Sequence, residues 1–223
     1  MDGRSFASLR MTATEIDMLS SQPSKIVCIG RNYLEHAKEL GNDAPKEPLF
    51  FLKPPSSIIA NGEAIELPKQ SSRVEHEGEI GLVIGKRLRH ASPRDATSGI
   101  RGIVALNDVT ARDLQRVDSQ WTRAKGFDTF CPIGELGAVP NDLSSLTVVT
   151  RVNGKERQRG SASEMLFSIP DLLAYVSNVM TLEVGDIVAT GTPSGVGILE
   201  PGDEVEVEIV GVSRVRNPVK AGA

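Results

Sequence analysis

Residues 73–85 of the chain read RVEHEGEIGLVIG, and this stretch decides the predicted fold. Its first half alternates charged and apolar residues, whereas residues 80–84 are apolar apart from one glycine. A strand that enters a protein core shows this change of pattern, because both of its faces become buried. We therefore predict a core strand over residues 77–84 with acidic side chains at its start.

Further strands and helices are predicted on both sides of this stretch. Strand patterns occupy residues 25–30, 49–52, 102–106, 146–152, 186–190 and 204–212, and a return strand follows the hairpin turn at Asn153-Gly154. Helix patterns occupy residues 34–40 and 169–180. The sum is an α+β, β-rich fold without the regular alternation of a doubly wound sheet. We assign residues 1–24 to an N-terminal extension and residues 25–223 to a single domain.

The composition argues against several classes of protein. The net charge of −4 offers no basic excess for nucleic acid. No apolar run approaches the roughly 18 residues that suggest a membrane span, and residues 1–24 lack the apolar centre of a secretory signal. We expect a cytoplasmic protein that binds neither nucleic acid nor membrane. With only Cys28 and Cys131 present, we predict two buried thiols and no disulfide scaffold.

Carboxylates are the first chemical signal. Residues two apart in a strand share a face, so Glu75, Glu77 and Glu79 would project together. Such a group repels itself unless a cation lies among its members. Asp108, at the end of the apolar run 103–106, is a further candidate. An exposed strand end with solvated acids fits the same spacing, and Asp113 fits a helix N-terminus better than a metal site.

The types of residue in this cluster indicate which metals would suit it. Carboxylate oxygens without cysteine favour Mg²⁺, Mn²⁺ or Ca²⁺ over zinc. Three protein ligands on an octahedral ion leave three positions for substrate and water. The pattern therefore favours a catalytic ion over a structural one.

Three other features could take part in chemistry. His36 and Glu39 are three residues apart in the predicted helix, so the carboxylate could orient the imidazole as a general base. An ordinary surface pair, which is the more common occurrence, also fits. Lys125 is a lone cation in a segment of apolar and small residues, where it could stabilise negative charge. Residues 190–197 (TGTPSGVG) could offer backbone N–H groups to an anion.

Six segments, taken in order, resemble the fumarylacetoacetate hydrolase family. They are GRNY at 30–33 with His36, FLKP at 51–54, HEGEIG at 76–81, NDVTARD at 107–113, KGFD at 125–128 and TGTPSGVG at 190–197. The resemblance spans residues 25–215. The N-terminal part is shorter than that of the larger members, so the chain resembles the compact acylpyruvase and oxaloacetate decarboxylase branch.

The resemblance implies a mixed β-sandwich or roll, a homodimer and a set of site residues. It selects Glu77, Glu79 and Asp108 as metal ligands, with Mg²⁺ as the expected ion and Mn²⁺ or Ca²⁺ as alternatives. It makes His36, Glu39 and Lys125 the catalytic residues. It makes Arg31, Arg112, Gln115 and Thr192 the substrate-binding residues.

The chemistry that follows from these parts is cleavage or rearrangement of a small 2-oxo acid. The first prediction is metal-dependent hydrolysis of the C–C bond of an acylpyruvate or fumarylpyruvate to give pyruvate. The second is decarboxylation or isomerisation of oxaloacetate or a related 2-oxo diacid, since both reactions pass through the same kind of enolate. The third is a non-catalytic metal-binding protein.

Overall fold

The computed structural model describes residues 22–39, 41 and 43–222. Most of the predicted N-terminal extension, residues 1–21, therefore lies outside the described residues. Within them, no helix is long and apolar enough to cross a membrane.

Strands make up most of the regular structure. They are β1 (Ile26–Gly30), β2 (Leu49–Lys53), β3 (Ile58–Ile59), β4 (Ile65–Leu67), β5 (Val74–His76), β6 (Gly78–Ile84), β7 (Ile100–Asn107), β8 (Thr110–Ala111), β9 (Cys131–Pro132), β10 (Thr147–Val152), β11 (Lys155–Ser161), β12 (Ile187–Ala189), β13 (Gly197–Ile198), β14 (Glu204–Ile209) and β15 (Ser213–Ala221). The α-helices are α1 (Leu34–Glu39), α2 (Pro93–Thr97), α3 (Arg112–Val117), α4 (Thr122–Lys125) and α5 (Ile169–Val179). Single 3₁₀ turns cover Pro55–Ser57, Leu143–Ser145 and Ala162–Glu164. The α+β, β-rich prediction is confirmed.

The first five-stranded sheet has the order β2-β1-β12-β6-β7. Its central strands are the continuously apolar runs of the sequence, and β1 pairs with β12 in parallel while the other pairs are antiparallel. Cys28 in β1 and Cys131 in β9 are both free and fully buried. The two buried thiols predicted from the sequence are confirmed.

The second five-stranded sheet has the order β11-β10-β14-β15-β4. Strand β14 (EVEVEI) has its valines and isoleucine buried and its glutamates only partly so, as expected for a strand with one face on the core. Between β10 and β11, Asn153 and Gly154 both adopt positive φ, 52° and 74°. These angles are those of a type I′ turn, which confirms the predicted hairpin.

The two large sheets pack face to face, with α5 covering the same core. One buried cluster contains Leu82 of the first sheet, Val148 and Val207 of the second, and Leu172 and Val176 of the helix. Ser168 caps the N-terminus of the helix, because its side chain accepts a hydrogen bond from the amide of Asp171. This arrangement is the predicted β-sandwich with few helices.

The predicted strand over residues 77–84 is interrupted where it leaves the core. Val74–His76 pairs with the small strands β8 and β13, whereas Gly78–Ile84 joins the first large sheet, so Glu77 lies between two sheets. Gly78 passes close to the second sheet, where an added Cβ would lie 1.9 Å from Oγ1 of Thr150. A glycine is therefore needed at this crossing, with Glu77 and Glu79 on either side of it.

Candidate active site

Glu77, Glu79 and Asp108 form a buried triad of carboxylates. Asp108 follows the last residue of β7, and its amide donates to the carbonyl of Glu77 over 2.8 Å. One oxygen from each carboxylate lies within 4.8 Å of the others, and each residue is no more than 4% exposed. The pairing of β6 with β7 thus brings together acids that are about thirty positions apart in the sequence.

Two lysines hold the two oxygens of Asp108. Lys53 Nζ lies 2.6 Å from Oδ1, and Lys125 Nζ lies 2.6 Å from Oδ2 and 2.7 Å from Oε2 of Glu77. Burial alone would lower the pKa of Lys125, but the carboxylates of Asp108 and Glu77 raise it above its usual value. The Lys125 ammonium therefore stays charged beside the triad.

Arg112 links Glu77 to Glu75. Its guanidinium pairs with Glu77, donates to Oε2 of Glu75 over 2.7 Å and donates to Oε1 of Gln115 over 2.5 Å. Glu75 also accepts from Arg73, so its charge is used in ion pairs outside the triad. Asp113 accepts hydrogen bonds from Ser71 and Ser72 and lies apart from the triad as well. Glu75 and Asp113 therefore lie outside the triad of Glu77, Glu79 and Asp108.

The charges at this site fit a bound divalent cation. Among the described residues, Glu79 forms no ion pair. Its carboxylate accepts a hydrogen bond from the amide of Gly191 over 2.8 Å. Burial raises the pKa of Glu79 well above its usual value, and the charges of Asp108 and Glu77 raise it further. For Glu77, burial acts in the same direction, but Lys125 and Arg112 outweigh it and lower the pKa. Carboxylate oxygens are the ligands that Mg²⁺, Mn²⁺ and Ca²⁺ prefer. A bound cation would also supply the positive charge that Glu79 lacks beside it.

His36 and Glu39 form the pair predicted from their spacing. His36 Nδ1 lies 3.2 Å from Oε2 of Glu39, and Oε1 of the same carboxylate accepts from the amide of Gly195 over 3.0 Å. Because the carboxylate accepts the proton of Nδ1, the neutral ring keeps a free lone pair on Nε2. His36 is 5% exposed and lines the same cavity as the triad.

The loop over residues 190–197 offers backbone N–H groups, but it offers them to carboxylates of the protein itself. Gly191, with φ of 96°, donates to Glu79, and Gly195, with φ of 98°, donates to Glu39. Between them, the Thr192 hydroxyl donates to the carbonyl of Gly78 over 2.8 Å. One loop therefore orients both a metal-ligand candidate and the partner of the candidate base.

Two buried residues with roles at this site were missed from the sequence. Lys53 had no assigned role, although a lone lysine that ends an apolar strand before two prolines could have drawn attention to it. Gln158 gave no signal, because it lies in the strongly polar β11. Its side chain contacts the ring of His76 at 3.0 Å and accepts from the amide of Gly78, and it donates to Thr192 Oγ1 over 2.7 Å.

Gln158→Leu is expected to destabilise the protein and to lower its turnover. The substitution leaves the Gly78 amide and the Pro193 carbonyl without their side-chain partner, at about 1–3 kcal/mol for each group left unpaired. Thermal unfolding and steady-state kinetics measure the two effects. Arg159→Leu, one residue further along β11 and paired with the exposed Glu156, is the matched control. A Gln158→Leu protein with wild-type stability would rule out this role.

The candidate residues surround one cavity of about 280 Å³. Every predicted site residue except Glu39 lines it, and Glu39 lies directly behind His36. The wall also includes residues that the sequence analysis did not assign: Ile29, Gly30, Phe51, Arg116 and Trp121. The volume lies just below the range of pockets for drug-sized ligands, which fits a small acid.

This geometry can be compared with known proteins. The model of the family described as "Fumarylacetoacetate (FAA) hydrolase C-terminal" matches residues 25–220. The chain belongs to this family. The resemblance inferred from the six motifs is therefore confirmed.

Similar proteins place the chain in the compact branch. "Oxaloacetate tautomerase FAHD1, mitochondrial" of Arabidopsis thaliana is 43% identical over 216 residues, which cover 94% of this chain and 97% of that protein. "Oxaloacetate decarboxylase, mitochondrial" of Dictyostelium discoideum is 45% identical over 84% of this chain and 89% of that protein. The structure of 5-carboxymethyl-2-hydroxymuconate delta-isomerase from Mycobacterium smegmatis has a TM-score of 0.84 at 44% identity, with 91% of this chain and 80% of that chain covered. The predicted fold and branch are confirmed.

Proposed function

We propose that this protein is a metal-dependent enzyme that interconverts the keto and enol forms of a small 2-oxo diacid such as oxaloacetate. One observation carries the proposal. An imidazole whose Nδ1 is held by a carboxylate lines a cavity that also contains the buried acidic triad and a charged lysine. Such a site can remove a proton from carbon and stabilise the enolate that remains.

Each residue has a task in this proposal. The free Nε2 of His36 takes the proton from the carbon beside the 2-oxo group, and Glu39 stabilises the imidazolium that results. The Lys125 ammonium stabilises negative charge on the developing enolate oxygen. Glu77, Glu79 and Asp108 would hold a divalent cation, which when bound supplies Lewis-acid polarisation of the 2-oxo group. The proton then returns from His36 to either carbon or oxygen, which completes the interconversion.

The comparisons favour the second function predicted from the sequence over the first. The relatives' names describe tautomerisation, decarboxylation and isomerisation of acids that share enolate chemistry. Hydrolysis of an acylpyruvate would also require a water positioned for attack on the distal carbonyl. Decarboxylation of the same diacid is the second candidate, because the Dictyostelium decarboxylase is 45% identical. The homodimer, the cytoplasmic location and the identity of the ion stay predictions.

The deciding assay follows three reactions of the purified protein with Mg²⁺ and with EDTA. Loss of the enol absorbance of oxaloacetate measures tautomerisation, and pyruvate release from oxaloacetate measures decarboxylation. Pyruvate release from acetylpyruvate or fumarylpyruvate measures hydrolysis. We expect metal-dependent tautomerisation to be the fastest. Faster pyruvate release from an acylpyruvate would return the assignment to hydrolysis.

A further inference from the structure

The cations that line the cavity fall into two groups. Arg112 and Lys125, next to the triad, are buried and paired with carboxylates. Arg31 is partly exposed and Arg116 is exposed, and neither forms an ion pair with any other residue that the structure describes. The two guanidiniums nearest solvent therefore carry positive charge that no acid among the described residues neutralises.

The spacing along α3 directs Arg116 toward the cavity. Arg112, Gln115 and Arg116 occupy positions i, i+3 and i+4 of the helix, so they share one face, and all three line the cavity. Four residues advance about 6 Å along the helix axis, so the backbone of Arg116 lies about that far from the backbone of Arg112. Arg116 is therefore displaced along the cavity wall from Arg112, whose guanidinium pairs with Glu77.

Arg31 is placed by its backbone and by an aromatic ring. It directly follows β1 and has a φ of 59°, a left-handed conformation that costs a non-glycine residue energy and is often found at functional sites. Its guanidinium carbon lies 5.9 Å from the centre of the Trp121 ring, which also lines the cavity. Stacking of this kind holds a guanidinium in place and leaves its N–H groups free for an anion.

We propose that Arg116, with Arg31, binds the distal carboxylate of the substrate and makes the site selective for dianionic over monoanionic acids. This inference rests on the proposed function, in which the reacting end of the substrate faces the triad and Lys125. Arg116 is then a specificity-determining residue, whereas Arg112 stays committed to Glu75 and Glu77.

Two inert ligands that differ in one charge test this. Malate keeps a 2-hydroxy carboxylate at the reacting end and a free distal carboxylate, and its 4-methyl ester masks only the latter. Calorimetric titration of the Mg²⁺-loaded protein should show at least about 10-fold tighter binding of malate than of the ester. In Arg116→Gln that preference should fall about 10-fold or more through weaker malate binding, while the affinity for the ester stays unchanged. Arg116→Lys should recover part of it.

Arg123→Gln is the matched control. Arg123 is an exposed arginine of the neighbouring helix α4, it pairs with Asp118, and it does not line the cavity. This variant should keep the wild-type preference. Equal affinities of the wild-type protein for malate and the ester, failure of malate to bind, or an unchanged preference in Arg116→Gln would overturn the proposal.

Because these ligands do not react, the result is independent of turnover. A preference for malate in a protein that does not turn over oxaloacetate would contradict the proposed function but support the carboxylate site. Turnover of oxaloacetate without this preference would support the proposed function and contradict the carboxylate site.

Discussion

Replacing Glu79 with glutamine is expected to abolish divalent-metal binding and to make the metal-free protein more stable. The amide of Gly191 can still donate to the glutamine oxygen, so the substitution removes a buried charge without breaking an ion pair. A triad with one anionic ligand fewer binds a divalent cation poorly. Turnover should fall by about 100-fold or more, since the electrostatic stabilisation of the enolate is lost. Calorimetric titration with Mg²⁺ and enzyme assays measure both losses.

The size of this gain in stability depends on pH. Burial, together with Asp108 and Glu77, raises the pKa of Glu79 in the folded state above its unfolded value. A raised carboxyl pKa contributes stability that is present below the unfolded pKa, about 4.3, and is lost as pH rises through the folded pKa. In EDTA at neutral pH, Glu79→Gln should therefore unfold at a higher temperature than the wild type. The difference should shrink as the pH falls toward 4.

Glu75→Gln is the matched control for this experiment. Glu75 is a buried carboxylate two residues before the triad begins, but Arg73 and Arg112 hold its oxygens. Its glutamine variant should still bind Mg²⁺, and it should lose stability because two cations lose a charged partner. Mg²⁺ binding by Glu79→Gln at wild-type affinity would show that the triad is not the metal site.

Replacing His36 with alanine is expected to lower the rate of keto–enol interconversion by about 10²–10⁴-fold, the usual contribution of a general base. His36 is the imidazole in the cavity wall, and Glu39 fixes its orientation. Metal affinity should be nearly unchanged, because no ligand of the triad is removed. Glu39→Gln should have a smaller effect, since the ring keeps a hydrogen-bonding partner but loses the charge that stabilises its protonated form.

The same variant separates tautomerisation from decarboxylation. Loss of CO₂ forms the enolate without removing a proton from carbon, so pyruvate release from oxaloacetate should fall less than enol conversion does. His90→Ala is the control, because His90 is an exposed histidine that contacts Asn178 and does not line the cavity. Full tautomerase activity in His36→Ala would rule out the proposed role of this residue.

Local patterns in the sequence were enough to predict most of the strands and helices. The apolar runs became β1, β6 and β7, and the recurring apolar residues of 169–180 became α5. Short-range features were also predicted correctly, among them the Asn153-Gly154 turn and the His36–Glu39 contact. Each of these depends on neighbours within a few positions, where periodicity and turn chemistry act directly.

Long-range pairing explains what the sequence left open. A strand model puts Glu75, Glu77 and Glu79 on one face, and this spacing could not say which of them belongs to the triad. Only the family resemblance left Glu75 out. The break at Glu77 and the partner Arg112 separate Glu75 from the other two. Gln158 lies 34 positions from Thr192, and no periodicity links residues that different strands bring together.

The sequence by itself determined the β-rich class, the family and the types of residue available for chemistry, because alternation, apolar runs and ordered motifs are local properties. Only the tertiary structure decided that Lys53 and Lys125 hold opposite oxygens of Asp108. It also decided that the Glu79 carboxyl has no ion-pair partner among the described residues, and that Arg116 lines the cavity. Charge compensation depends on distances of a few ångströms between distant positions, and those distances exist only once the sheets have packed.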